Sequence, residues 1–344
     1  MNHWLSFRDH SPTQLASLIT LARGLKSREP AAVAAARSAI RDKILGLIFF
    51  NASLRTRVSF EAAMIRFGGQ AICLDVGGST WNLEHRDGAV MNADKAEHIK
   101  EAAPVLSRYC DALAVRTFAG LKNASEDAAD ALIRAFAKHS TVPLLNMESA
   151  LEHPCQALAD WMTVEERFGA TRGRRFVLTW APQAKAVPMA VPHSAALAAA
   201  AAGMHLTIAH PPGYDLNPAI LDQARSWCAE HGTRFQITHE QLDACADAEV
   251  VYVKSWGSAA LYGQTETQLE DFKRYAGWMV DTRHLRTPET ILMHCLPVRR
   301  NVVISDAALD DPRCVVVDQA ENRLWTQAAV LTRVFKQRTD SRGS

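Results

Sequence analysis

The segment Asn51-Ala-Ser-Leu-Arg-Thr-Arg57 groups hydroxyl and guanidinium side chains in a way that suits an anion. It lies where an apolar, strand-like run gives way to an amphipathic helix pattern. Ser53 and Thr56 would then face the free N–H groups at the helix start, with Arg55 and Arg57 beside them. Helix N-termini bind anions, and a guanidinium group matches two phosphate oxygens at once. The segment predicts a site for a phosphorylated small molecule; a capped helix with a solvated basic turn is the alternative.

Three further groups of candidate residues follow along the chain. They are Arg116 at the end of an apolar run, His153-Pro154-Cys155-Gln156 at the start of a helix pattern, and residues 294–300 with the sequence HCLPVRR. All fall where predicted parallel strands end, and parallel sheets bind ligands at that edge. His294 and Cys295 are neighbours in a predicted extended segment and would point to opposite faces. This disfavours a thiolate–imidazole pair and hence a Cys295 nucleophile.

The spacing of ligand-type residues predicts neither a metal site nor a bound cofactor. The chain has no C-x-x-C or H-E-x-x-H, and His153 has no partner at ligand spacing. No G-x-G-x-x-G follows the predicted strands, which argues against a nicotinamide enzyme. The seven cysteines are odd in number and widely scattered, as expected for reduced thiols in the cytoplasm.

Length and charge restrict the class of protein further. The 344 residues are enough for two ordinary domains. The 38 basic and 37 acidic residues nearly balance, so the sequence predicts neither a nucleic-acid partner nor a membrane surface. No apolar run reaches about 18 residues, the length needed for a membrane span. The first residues lack the profile of a secretory signal, so we expect a cytoplasmic protein.

Strand patterns alternate with helix patterns, which predicts βα units and mainly parallel sheets flanked by helices. The first series has predicted strands at 43–50, 70–75, 112–116 and 142–146 and predicted helices at 13–25, 31–40, 58–67, 97–109 and 125–138. The second series has predicted strands at 175–180, 205–209, 235–237, 249–254, 290–293 and 314–317 and predicted helices at 155–168, 192–202, 218–230 and 320–336. The doubled pattern predicts two α/β domains, residues 1–150 and 151–319. The helix over 320–336 is expected to pack back on the first domain, and 338–344 to be a disordered tail.

The motifs S-x-R-T-R, H-P-x-Q and H-C-L-P-x-R, in this order and spacing, resemble the pattern of the aspartate/ornithine carbamoyltransferase family. The resemblance runs from Asn51 to Arg323. It implies carbamoyl phosphate bound between two α/β domains, and a homotrimer. The motifs F-F-N-x-S-L-R-T-R, W-x-L-E, T-W-A-P and H-C-L-P-V-R-R-N are similar to those of the N-acylornithine branch of this family. Relatives there thread a proline loop through a knot, which we expect at 181–193 although His-Pro is replaced by Gln183-Ala184.

The resemblance also implies roles for individual residues. Arg116 would polarise the carbamoyl oxygen, the backbone at 295–296 would accept from the carbamoyl amino group, and Arg55, His153 and Cys295 complete the catalytic set. The implied carbamoyl-phosphate site consists of Ser53, Leu54, Arg55, Thr56, Arg116, His153, Gln156, Cys295, Leu296 and Arg323, with Trp81 from the adjacent subunit. A Trp81 tucked on its own domain is the alternative. The amine proton would leave to the phosphate or to His153.

Lys254 decides the expected acceptor. Ornithine carbamoyltransferases bind the free α-ammonium of ornithine with an Asp before a Trp and a Ser-Met-Gly segment, whereas this chain has Lys254-Ser-Trp256 and no Ser-Met-Gly. A lysine within about 4 Å of an α-ammonium costs on the order of 1–4 kcal/mol. Acylation removes that charge and leaves the α-carboxylate, which a lysine suits. An N-acylated ornithine is therefore the expected acceptor, oriented by Glu148 and Lys254.

Two acyl groups remain open. In the acetyl type a glutamate stands where this chain has Ala96, and a carboxylated lysine stands at Val303. The succinyl type has a small residue at the first position and basic groups matching Lys185 and Arg299. These features favour N-succinylornithine, with N-acetylornithine as the alternative. Transfer to free ornithine or another amine, and a non-catalytic homologue, are weaker alternatives because Lys254 opposes the first and no motif residue is lost.

Overall fold

The computed structural model describes residues 3–185 and 187–340, with the side chains of 337–340 excepted. Its helices are α1 (Pro12–Lys26), α2 (Pro30–Ile40), α3 (Arg55–Arg66), α4 (Ile99–Tyr109), α5 (Ala124–Ala128), α6 (Ala131–His139), α7 (Pro154–Phe168), α8 (Ala190–Ala201), α9 (Pro218–His231), α10 (Gln241–Ala244), α11 (Thr265–Arg274), α12 (Asp306–Leu309) and α13 (Val316–Asp340). Its strands are β1 (Ile44–Phe49), β2 (Gln70–Asp75), β3 (Asn82–Glu84), β4 (Lys95–His98), β5 (Ala112–Arg116), β6 (Leu144–Glu148), β7 (Arg175–Trp180), β8 (His205–Ala209), β9 (Phe235–Thr238), β10 (Val250–Lys254) and β11 (Ile291–Met293).

The strands form two main parallel sheets. The first has the order β2-β1-β5-β6 and the second the order β11-β10-β7-β8-β9, with every pairing parallel. The short strands β3 and β4 pair with each other in the loop after β2. The predicted fold class, two α/β domains with parallel sheets and flanking helices, is confirmed. The boundary at residue 150 and the knot in the proline loop stay predictions.

Local sequence explains where the main helices begin and end. Ser11 and Gln14 form a capping box ahead of Pro12, so α1 starts there. Pro154 occupies the first turn of α7, where its missing N–H costs nothing, and Gly169 ends that helix with φ 75°. The alanine-rich α8 is buried along its whole length, because small side chains let it pack between other elements.

Helix α13 packs on α1, α2 and α3 of the first half of the chain and on α7. The predicted disordered tail was wrong for residues 338–340, since α13 continues to Asp340; residues 341–344 lie outside the described residues. The predicted strand at 314–317 was also wrong. Only a single bridge joins Cys314 to Leu292, and the helix begins at Val316.

Two other predicted helices differ in their bounds. The start of the 97–109 helix is strand β4, whose last residue, His98, caps α4 by accepting from the Lys100 N–H. The 125–138 helix is divided into α5 and α6 at Asp130, which has φ 51°. Among the described residues, no helix has the length and apolar character that a bilayer crossing requires.

Candidate active site

The carboxyl edges of both sheets carry the predicted site residues. Strand β1 leads through Ser53 into α3, β5 ends at Arg116, and β6 ends at Glu148. In the second sheet β10 ends at Lys254 and β11 leads into His294 and Cys295. Parallel pairing places these ends at common edges, so residues far apart in sequence meet there.

Thr56 joins two arginines that come from distant parts of the chain. Its hydroxyl oxygen accepts a hydrogen bond from Arg116 Nη1 at 3.1 Å and one from Arg323 Nη2 at 2.6 Å. Its backbone N–H donates to Ser53 Oγ at 3.2 Å. Because α13 carries Arg323 back to α3, the closing helix completes a site that begins at residue 53.

Glu148 is the carboxylate of this cluster. Its Oε2 lies 2.7 Å from Arg116 Nη1 and 3.6 Å from His153 Nε2. Burial raises the pKa of Glu148, and the charges of Arg116, Arg323 and Lys254 oppose that rise. Lys254 therefore lies close enough to act on Glu148 electrostatically. One buried carboxylate is set among several cations, which leaves the site with an excess of positive charge.

Buried guanidinium groups make this cluster suited to an anion. Burial and the charges of nearby arginines lower the pKa of Arg55 and bring that of Arg323 to about 10. The Nε–H groups of Arg55, Arg116 and Arg323 are buried and have no hydrogen-bond partner among the described residues. A buried donor without a partner has lost its hydrogen bonds to water, which costs free energy. A hydrogen bond to an anionic ligand would offset that cost.

Two histidines of the site are held neutral. Burial, together with the charges of Arg323, Arg116 and Arg55, lowers the pKa of His153 well below its ordinary value. Burial and Lys254 do the same for His294. A neutral imidazole has a nitrogen lone pair, so His153 can accept a hydrogen bond at neutral pH, and its lowered pKa makes it a weak base.

The His294–Leu296 segment is held by its own backbone contacts. His294 Nδ1 accepts from the Leu296 N–H at 2.8 Å, and Leu296 has φ 55°, which is uncommon for a residue other than glycine. Burial raises the pKa of the Cys295 thiol, while Lys254 opposes the rise. The thiol is therefore protonated, which agrees with the argument against a Cys295 nucleophile.

Several predicted residues lie away from the buried cluster. The Leu54 side chain is 75% exposed, so only its backbone can take part. Arg57, predicted to face the phosphate with Arg55, instead lies 3.2 Å from Glu61 and 3.6 Å from Asp75. That prediction was wrong because successive helix residues differ by about 100° in direction. Trp81 is 59% exposed, and its indole N–H donates to Glu97 at 2.8 Å.

The candidate acceptor residues divide in the same way. Lys254 belongs to the buried cluster through its charge interactions with Glu148, His294 and Cys295. Ala96, Lys185 and Arg299 are exposed, on β4 and on two loops of the second half of the chain. They do not take part in the hydrogen bonds described above, so their part in acceptor binding stays a prediction.

Two residues of the site were missed by the sequence analysis. Asp160 is 1% exposed and accepts from the Gln156 side chain at 2.8 Å and from the Gln319 side chain at 2.7 Å. The spacing offered a signal, because Asp160 follows Gln156 by four positions and shares its helix face. Gln319 comes from another helix, and no local pattern points to it. Within the described residues, no three His, Cys, Asp or Glu side chains are arranged to hold a metal ion.

The fold and this cationic cluster suit an enzyme that binds a small anion, and sequence comparison identifies the family. The carbamoyl-P binding domain of aspartate/ornithine carbamoyltransferases matches residues 2–166, and the Asp/Orn binding domain matches residues 189–334. The chain therefore belongs to the aspartate/ornithine carbamoyltransferase family and is a transferase.

Similar proteins of known name come from the N-acylornithine branch. The N-acetylornithine carbamoyltransferase of Xanthomonas campestris pv. campestris is 39% identical over 98% of this chain and 98% of its own length. The N-succinylornithine carbamoyltransferase of Bacteroides fragilis is 37% identical over 86% of this chain and 88% of its own.

Solved structures of the same branch share the fold. One is N-acetyl-L-ornithine transcarbamylase with one glutamate replaced by alanine, complexed with carbamyl phosphate and N-succinyl-L-norvaline. It matches with a TM-score of 0.92 and 39% identity, over 97% of this chain and 100% of that one. Acetylornithine transcarbamylase complexed with acetylcitrulline matches with the same TM-score and identity, over 97% and 99%.

Proposed function

We propose that this chain transfers the carbamoyl group of carbamoyl phosphate to the δ-amine of an N-acylated ornithine, in arginine biosynthesis. The preferred acceptor is N-succinyl-L-ornithine, and the products are N-succinyl-L-citrulline and phosphate. The observation that carries the proposal is Lys254, a half-buried cation at the carboxyl end of β10 whose charge acts on the pKa of Glu148 and of Cys295. It stands where an acceptor with a free α-ammonium would be repelled.

The buried cations supply the chemistry of the carbamoyl half. Arg116 polarises the carbamoyl oxygen, and Arg55 and Arg323 stabilise charge on the departing phosphate. The Nε–H groups of Arg55, Arg116 and Arg323 support this assignment, because they are buried donors with no hydrogen-bond partner among the described residues. Ser53, Thr56 and the first N–H groups of α3 complete the phosphate site.

The attacking amine must lose a proton. An alkyl ammonium with a pKa near about 10.4 costs about 4 kcal/mol to neutralise at pH ~7.5. Desolvation between the two halves of the chain lowers that cost, and Glu148 orients the δ-amine. The proton then passes to the leaving phosphate or to His153; the lowered pKa of His153 makes the phosphate the stronger acceptor of the two.

Ala96 supports the succinyl group. By the resemblance, the acetyl type has a glutamate at this position, and a glutamate there would repel a succinyl carboxylate. A solved acetylornithine enzyme in which a glutamate is replaced by alanine was complexed with N-succinyl-L-norvaline. Lys185 and Arg299 are exposed loop residues whose positive charges would attract a succinyl carboxylate. Val303 is buried, whereas the acetyl type has a carboxylated lysine there.

N-acetyl-L-ornithine is the second candidate acceptor. The N-acetylornithine enzymes match over 98% of this chain, and the N-succinylornithine enzymes over 86%. Overall similarity therefore favours acetyl, whereas the residue at position 96 favours succinyl. We give more weight to position 96, because a single charge beside the acyl group changes the affinity for the acceptor. Overall sequence identity does not report that affinity.

One assay tests the proposal. Citrulline-type product is measured from carbamoyl phosphate with N-succinyl-, N-acetyl- and unmodified L-ornithine at equal concentrations. We expect the highest kcat/KM with the succinyl compound and the lowest with unmodified ornithine. Faster turnover of unmodified ornithine would overturn the assignment of Lys254, and faster turnover of the acetyl compound would overturn that of Ala96.

We also propose a homotrimer in which Trp81 reaches a neighbouring subunit. Its 59% exposure on the loop between β2 and β3 supports this, because a large indole is normally covered. Sedimentation analysis tests the trimer, and the KM for carbamoyl phosphate tests the role of Trp81: Trp81→Ala should remain trimeric but have a higher KM. A monomeric protein would contradict the first part.

A further inference from the structure

Asp160 is a buried carboxylate that lies behind the carbamoyl side of the site. It projects from α7, is 1% exposed, and belongs to no motif that the proposed mechanism uses. One of its oxygens, Oδ1, accepts two side-chain amides: Gln156 Nε2 at 2.8 Å and Gln319 Nε2 at 2.7 Å. The two glutamines come from α7 and α13, so this oxygen also joins two helices.

A glutamine amide has two distinct ends, and Asp160 determines which end faces it. An ionised carboxylate can only accept, so both glutamines must direct their NH2 groups to Asp160. Protonation of the other oxygen, Oδ2, would leave Oδ1 an acceptor and would not change this. The carbonyl oxygens of Gln156 and Gln319 must therefore point away from Asp160.

Each carbonyl oxygen then has a consequence for the site. Gln319 Oε1 accepts the backbone N–H of His294 at 3.0 Å, which fixes the start of the His294–Leu296 segment. Gln156 Oε1 is buried and has no hydrogen-bond partner among the described residues. A buried acceptor without a partner calls for an N–H or O–H donor. The carbamoyl amino group is such a donor and stands beside Gln156 in the proposed reaction.

We propose that Asp160 is a positioning residue that fixes the amide orientation of Gln156 and, through Gln319, the His294–Leu296 backbone, so that both present acceptors to the amino group of carbamoyl phosphate. The inference rests on the proposed function. It predicts a role in selecting an NH2 group over a methyl group of the same shape. Without Asp160, the Gln156 amide can turn its NH2 group toward the ligand, where two donors would face each other.

A pair of stable analogues isolates this effect. Phosphonoacetamide carries an NH2 group, and acetonylphosphonate carries a methyl group in its place, with the same phosphonate. Isothermal titration calorimetry at pH 8 measures both with the unmodified protein and with Asp160→Leu. We expect Asp160→Leu to weaken phosphonoacetamide about tenfold or more and to change acetonylphosphonate by less than about threefold, because only the amide depends on the acceptors.

Further variants keep the test decisive. Asp160→Asn retains an oxygen that can accept both amides, and it should restore phosphonoacetamide affinity to within about threefold of the unmodified protein. Gln319→Leu, which leaves Gln156 held by Asp160, should give a smaller loss than Asp160→Leu, again for the amide only. Thr163→Val is the matched control: Thr163 also joins α7 to α13, by accepting from Asn322 at 3.0 Å, one turn further from Gln156. It should change neither affinity.

Each result bears on one claim. Equal losses of both analogues in Asp160→Leu would mean a structural role and would overturn the inference. Unchanged amide affinity in Asp160→Leu would overturn it too, as would failure of Asp160→Asn to restore affinity. If Asp160→Leu does not fold, Gln319→Leu and Asp160→Asn decide in the same way. If the unmodified protein binds neither analogue, the proposed function fails, and the inference fails with it.

Discussion

The two halves of the proposed active site are built differently. On the carbamoyl-phosphate side, Thr56, Arg116, His153 and Arg323 are each less than 10% exposed. Thr56 accepts hydrogen bonds from both arginines, and Arg116 pairs with Glu148, which lies 3.6 Å from His153. On the acyl side, Ala96, Lys185 and Arg299 are exposed on loops or a short strand. A buried network resists change because breaking one bond leaves another group unpaired. Under the proposed function, we therefore expect carbamoyl transfer to be sensitive to substitutions in the core, and the preferred acyl group to change with single surface substitutions.

Arg116→Ala is expected to have the largest effect on activity. It removes the guanidinium that polarises the carbamoyl oxygen and leaves Glu148 buried without its 2.7 Å partner. We expect kcat/KM to fall about a thousandfold, the loss typical of one oxyanion donor. Steady-state kinetics with carbamoyl phosphate measures this, and near-normal turnover would refute the assigned role.

Lys254→Met tests whether Lys254 binds the acceptor or carbamoyl phosphate. Loss of a charged partner for the α-carboxylate should raise the acceptor KM between about tenfold and a hundredfold. The KM for carbamoyl phosphate should stay within about threefold, since Arg55 and Arg116 remain. Lys254→Arg, which keeps the charge, is the control. An equal rise in both KM values would place Lys254 on the carbamoyl side instead.

A buried histidine of α8, outside this network, should make the fold sensitive to acid. Burial lowers the pKa of His193 to about 4, below the ordinary value of about 6.5. The unfolded chain then binds a proton that the folded protein does not, so stability is full above pH 6.5 and falls as pH drops toward 4. By pH 5 this one group costs about 2 kcal/mol.

His193→Gln should therefore make the fall in unfolding free energy between pH 7 and pH 5 shallower by about 2 kcal/mol. Urea denaturation at each pH measures it. His231→Gln is the control, because His231, the last residue of α9, is only half-buried. Identical slopes for His193→Gln and the unmodified protein would show that His193 is protonated in the folded state.

Ala96→Glu tests whether the exposed residue at position 96 determines the preferred acyl group. A carboxylate within about 4 Å of the succinyl carboxylate would cost on the order of 1–4 kcal/mol, and less in high salt. The ratio of kcat/KM for N-succinyl- to N-acetylornithine should fall about tenfold or more. Ala96→Gln is the uncharged control. An unchanged ratio would remove position 96 from the selectivity argument.

The smallest effect is expected from Arg57→Gln. Although Arg57 is two positions from Arg55, it is exposed and pairs with Glu61 and Asp75 outside the cluster. We expect kcat/KM with carbamoyl phosphate to change by less than about threefold, as for most surface substitutions. A loss close to that of Arg116→Ala would return Arg57 to the phosphate site, as the sequence alone had placed it.

Much of the fold and half of the site were predictable from local pattern. The alternation of apolar runs with amphipathic segments identified all nine strands of the two main sheets, since burial on both faces makes the inner strands of a parallel sheet largely apolar. The weaker strands β3 and β4, inside the long loop after β2, were missed because their residues are polar and half-exposed. The predicted strand at 314–317 failed because a short apolar run also fits the start of a helix.

The sequence by itself determined the motifs and their chemistry: the hydroxyls and arginine after β1, the arginine ending β5, the histidine opening α7 and the lysine ending β10. These depend on residue type and on strand ends, which local patterning reveals. Only the tertiary structure decided which arginine faces inward, that Arg323 returns to Thr56, and that Asp160 holds two glutamines from different helices. Such contacts join residues as many as 267 positions apart, and no local preference encodes the packing that brings them within hydrogen-bonding distance.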